Sequence, residues 1–90
     1  MNKLSMIDPN ELFSLYQFFP DGSYERLLHH VDIELALNTA ASYASRPAAM
    51  IGIIQRLIIT DAGDSIVFEW RYKYGVVFPI FPPKANKTGE

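Results

Sequence analysis

The chain has 90 residues, 49% of them apolar and 20% charged, with no cysteine and a net charge of −2 at neutral pH. That length holds one core and no second domain, and the composition is that of a folded chain. The missing thiols exclude disulfides, thiolate zinc sites and cysteine nucleophiles, and the slight acidity offers no overall field to draw in a polyanion.

From Met1 to Asn10 there is one lysine and no continuous apolar stretch. No segment approaches the ~20 apolar residues of a membrane span, so neither an export signal nor a span is expected. Asp8, Pro9 and Glu11 then carry a helix-start signature: a cap, a proline suited to the first position and a capping-box acid. Leu12, Leu15, Tyr16 and Phe19 follow at i, i+3, i+4 and i+7, the stripe of a short helix, with Phe13 and Phe18 off it. Pro20, Asp21, Gly22 and Ser23 end that element.

The pattern from Tyr24 to about Ser45 is also helical, but its stripe moves. Tyr24, Leu27, Leu28, Val31 and Leu35 give one face, and Ile33, Leu37, Ala40, Ala41 and Ala44 another, so this helix is buried on two sides or it breaks. Arg46 and Pro47 finish it, because the residue before a proline is pushed out of the helical region.

Ile51, Ile53, Ile54, Leu57, Ile58 and Ile59 supply the bulk of a strand, and Asp61, Ala62, Gly63 and Asp64 a turn. Met50, Ile51, Ile54, Leu57 and Ile58 also satisfy helical spacing, but the dense isoleucines and the need for an antiparallel partner after Gly63 favour the strand over residues 48–60. Beyond the turn, Ile66, Phe68, Trp70, Tyr72 and Tyr74 alternate with Val67, Glu69, Arg71 and Lys73, the mark of a strand with one buried and one wet side. Gly75 permits a bend, and Pro79 confines the run Val76 to Phe81 to an edge or arm. The expected fold is α+β: two N-terminal helices packed on a C-terminal antiparallel β-hairpin or three-stranded meander, as one domain over residues 1–81 with a flexible tail over 82–90.

His29, His30, Asp32 and Glu34 are the residues that look like metal ligands. On a helix, His30 and Glu34 share a face while His29 points about 100° away, so a solvated face is expected there and no metal. Asp61 and Asp64 bracket Ala62 and Gly63 as a tight turn requires, and two carboxylates fall short of a calcium site. No nucleophile elbow and no glycine-rich phosphate loop is present, so no enzyme activity and no cofactor are expected.

Phe68, Trp70, Tyr72, Tyr74, Phe78 and Phe81 form an aromatic band. Lys73 to Phe78 is similar in its basic, aromatic and glycine order to an RNA-recognition strand, but a helix-first chain of this length cannot hold the βαββαβ order. Alternation also sets Arg71 and Lys73 opposite Trp70 and Tyr72, so no nucleic-acid partner and no membrane partner is expected. Phe68, Trp70 and Tyr72 read as core, whereas the apolar run near the terminus needs a cover. The expected function is that of a small, non-enzymatic, cytoplasmic adaptor or regulatory protein. It would bind a protein partner and form a homodimer through Val76, Val77, Phe78, Ile80 and Phe81. The alternative is a small-molecule pocket walled by Trp70, Tyr72 and Tyr74, with His30 or a tyrosine hydroxyl orienting the ligand.

Overall fold

A computed structural model describes residues 11–79 of the chain. In chain order the elements are β1 (Phe13–Phe18), β2 (Tyr24–Val31), α1 (Ile33–Ala44), α2 (Pro47–Met50), β3 (Arg56–Thr60), β4 (Ile66–Arg71) and β5 (Gly75–Phe78). The five strands form one sheet of order β2-β1-β3-β4-β5, every neighbouring pair antiparallel.

This overturns the expected pair of N-terminal helices on a hairpin. Residues 13–18 and 24–31 are strands, joined as a hairpin by the very turn expected to separate two helices. Phe19 N–H donates to the Ser23 carbonyl (2.8 Å), and Asp21 Oδ1 accepts from the Ser23 amide (2.9 Å). The helical spacing of Leu12, Leu15, Tyr16 and Phe19 is a coincidence of an apolar strand. Phe13, Leu15 and Gln17 point to the helix side, and Ser14, Tyr16 and Phe18 to the other. In β2 a bulge between the partners of Leu15 and Tyr16 lets Leu27 and Leu28 both pack on the core, which mimics a helical face. The helix-start signal at Asp8 and Pro9 and the tail over 82–90 lie outside the described residues.

Of the second expected helix, the alanine-rich part is real, and the shift of stripe marks the point where strand becomes helix. Asp32 caps α1, its Oδ1 accepting from the Leu35 amide at 2.7 Å. Ala36 and Ala40, i and i+4 on one face, lie fully buried against Phe13, Leu15 and Ile59. Small residues there let the helix axis come close to the two central strands. The helix ends at Ala44, two residues before Arg46, and α2 begins at Pro47. Its Ala49 closes a second apolar cluster with Ile54 and Leu57, onto which Trp70 and Tyr43 pack.

The strand expected within residues 48–60 occupies its second half, Arg56–Thr60, and Asp61 to Asp64 make the turn to β4. The strand after that turn stops at Arg71, short of the expected Tyr74, because Lys73 (φ 74°) and Gly75 (φ 76°) reverse the chain into β5. Its supposed wet side is also partly dry: Glu69 is buried, and Val67 packs against the first cluster.

The best-packed side chains are Leu15, Leu57 and Ile59 at the sheet centre. Leu57→Ala should cost about 2–5 kcal/mol in a denaturant titration, from lost burial plus an unfilled cavity. Gln17 moves stability the other way. Its Oε1 is buried with no partner among the described residues, while Nε2 donates to Glu25 at 2.9 Å. Gln17→Leu should therefore raise stability by about 1 kcal/mol, because an unpaired buried carbonyl costs about 1–3 kcal/mol and Glu25 is free to turn to water.

Candidate functional site

Both helices pack on one face of the sheet. Among the described residues no element covers the other face, and cross-strand register writes out what it displays. One row runs Tyr24, Phe18, Arg56, Arg71 and Gly75 from β2 to β5. The next runs Arg26, Tyr16, Ile58, Glu69 and Phe78. A third holds Ser14, Thr60 and Ile66.

The β2 and β1 side of this face is aromatic. The Tyr16 and Tyr24 rings meet edge-on with centroids 5.9 Å apart, and Phe18 lies 5.3 Å from Tyr24. The Arg56 guanidinium sits 5.1 Å from the Phe18 ring centroid, linking the cluster to charge. Glu69 then receives Nε of Arg56 at 2.6 Å and Nε of Arg71 at 2.7 Å. Burial pushes the Glu69 carboxyl up, but the hydrogen bonds and positive charges of the two arginines outweigh it and hold the group below its ordinary value. The acid is thus ionised at neutral pH and fixes both guanidiniums over the sheet.

At the far end of β2, Ser14 Oγ lies 3.1 Å from His29 Nδ1, and the His29 and His30 rings stack with centroids 3.7 Å apart. The pair stands on a strand end and not on a helix, with His30 at φ 57°. No group of three or more His, Asp or Glu fit to hold a metal occurs among the described residues.

The sequence-derived pocket residues do not converge. Trp70 packs in the second cluster under α2. Tyr72 lies against the connection into β3: a Cβ added at Gly52 (φ 89°) would fall 2.9 Å from its Cε2. Tyr74 sits in the β4–β5 turn, 78% exposed. His30 is on β2, three strand spacings or about 14 Å from β4 even before the offset along the strands.

Of the sequence-derived interaction residues, Val76 pairs with Trp70 on the helix side and Phe78 with Glu69 on the open side, and Val77 falls in a bulge between them. Val76 and Phe78 are 45% and 43% exposed. Ile80 and Phe81 lie outside the described residues. Sequence reading misses Tyr16, Phe18, Tyr24 and Arg26 as surface residues, because a helical pattern over residues 13–31 hides their face, and passes over Arg56 within the strand of residues 48–60. The alternation of Ser14, Tyr16 and Phe18 was the signal that could have found them. Sequence reading misses as well the exposed Met50 at the end of α2 and the exposed Ile51 and Ile53 of the connection to β3, at the same end of the sheet as Tyr74.

Three groups make the fold sensitive to acid. Desolvation, then the charges of Arg26 and His30, hold His29 below its ordinary value, so folding favours the neutral ring. Its contribution is complete above the ordinary histidine pKa and is lost as pH falls through the lowered folded value. Asp21, lowered by its hydrogen bonds from Ser23, and Glu69 act in the same direction in the carboxylate range. The thermal midpoint should fall modestly between about pH 7 and pH 5, and His29→Gln should flatten that part of the curve. An unchanged slope in the variant would place the pH response elsewhere. Compared with protein-family models, with curated proteins and with solved structures, the chain matches none.

Proposed function

We propose that the chain is a small, non-enzymatic, cytoplasmic interaction protein that self-associates as a two-fold dimer through its β5 edge. The observation that carries this reading is the contrast between the two sheet edges. The β2 edge is long but blunted: it holds Glu25 and Arg26, two irregularities of register and a left-handed residue at His30. The β5 edge holds no charge from Gly75 to Phe78, and it offers Val76 and Phe78 half-exposed on its two faces. Among the described residues no strand pairs with the outer side of β5, and an uncharged apolar edge is a template for another strand.

A two-fold axis pairs such an edge with itself in antiparallel fashion, so each Val76 and Phe78 meets its counterpart region. The exposed Tyr74, Met50, Ile51 and Ile53 at the adjoining end of the sheet extend the apolar area available to a protein surface. Among the described residues no helix is long and apolar enough to cross a membrane.

Light scattering on the eluting protein tests the reading. The parent chain should run at twice its 10.2 kDa mass, and Phe78→Glu with Val76→Lys should run as a folded monomer with an unchanged far-UV spectrum. A parent that stays monomeric at about 100 μM, too weak to count as a specific dimer, or a double variant that keeps the dimer mass, would defeat the proposal.

A further inference from the structure

We propose that the open face of the sheet binds single-stranded nucleic acid, with Tyr16, Phe18 and Tyr24 stacking bases and Arg26, Arg56 and Arg71 taking the phosphates. On β4 alone, alternation sets Arg71 apart from Trp70. The whole sheet brings a different set together: rings from β1 and β2 share a face with guanidiniums from β2, β3 and β4. An aromatic platform beside a basic track is the combination that holds single strands without reading their sequence.

Charge favours this occupant over another copy of the chain. The two central rows carry three arginines against one glutamate, on a chain whose net charge is −2. Among the described residues the other acids lie off these rows: Glu11 precedes β1, Glu25 points to the helix side opposite Gln17, Asp32 and Glu34 begin α1, and Asp21, Asp61 and Asp64 sit in turns. Two such faces set against each other would oppose like charges, whereas a polyanion meets a concentrated positive strip.

The aromatic cluster decides between polyanions. An acidic peptide would answer the guanidiniums but leave three adjacent rings without planar partners, while bases use both features. Glu69 offsets one of the three positive charges, but both arginines reach it through Nε, which leaves their Nη groups to donate to phosphate. It holds both guanidiniums against one carboxylate from neighbouring strands, about 4.8 Å apart, and the flanking rings are within reach of the same strand. Tyr24, 62% exposed, is the most accessible of the three.

Fluorescence anisotropy with labelled thymidine and uridine oligonucleotides of about 12 residues tests this directly. Saturable binding should weaken between about 50 and 200 mM salt with a log–log slope near −2, as three neutralised phosphates on a single strand require. Tyr24→Ala should weaken binding about 5- to 150-fold, the loss of one stacked base. Arg26→Gln, an exposed substitution, should reduce the slope by about 0.7. Far-UV spectra check that both variants stay folded. No saturable binding at about 100 μM protein, or affinity and slope indifferent to both substitutions, would overturn the proposal. So would equal competition by a polyglutamate peptide, which would make the face a docking surface for acidic protein segments. The edge variant Val76→Glu, on the helix side of β5, separates this reading from the dimer: a monomer that still binds the oligonucleotide with the same dependence on Tyr24 supports the open face alone.

Discussion

The close approach of α1 to the two central strands is the contact on which the molecule depends. Ala36 and Ala40 bring the helix down onto Leu15 and Ile59, and all four are shielded from water. An antiparallel sheet with one apolar face is stable only when that face is covered. Among the described residues one 12-residue helix and one four-residue turn of helix do it, and coverage reaches β1, β2 and β3 well and β4 and β5 poorly. α2 and its connection extend the cover to Leu57 and Trp70 but leave Val76 half-exposed. The exposed apolar side of β5 thus follows from how little of the described helix reaches it.

Among the described residues nothing covers the second face of the sheet. Bare faces of antiparallel sheets are normally polar, and here the polarity comes from arginines and tyrosines, whose long or flat side chains shelter Ile58 and Glu69 between them. Arg56 touches both Phe18 and Glu69, so the aromatic cluster and the ion pair are one connected surface and not two patches. A surface held in this way is already ordered before any partner arrives, which lowers the entropy lost on binding.

How much of this was legible in the sequence varies by element, for physical reasons. The turn at Asp61 to Asp64, the strand after it and the end of the helix at Pro47 were legible because turn residues and prolines act locally. The first hairpin was not. In Phe13 to Phe18 both faces carry apolar groups, since the outer one is an aromatic surface, and a period of two then has no contrast to show it. In Tyr24 to Val31 the bulge at Leu27 turns two adjacent leucines inward and breaks the period outright. The residues that hide the strand from a periodicity argument are thus the ones that build the open face, and the candidate site was illegible for the same reason as the fold. Only the β5 edge, a run of apolar residues beside a proline, could be read without the sheet.

The edge and the open face are geometrically compatible, and their combination has a consequence that neither has alone. A two-fold axis that pairs β5 with β5 of a second copy in antiparallel fashion stands perpendicular to the sheet, so it keeps both open faces on the same side. The open-face rows of one copy would then lie beside those of the other across a ten-stranded sheet. A flexible single strand that engages one copy would be held near the second at high effective concentration. Three arginines per copy would give a modest hold on phosphate and six on one surface a stronger one, because each neutralised phosphate multiplies the affinity. Self-association through an edge with no charge would in this way set the strength of binding on a face rich in it.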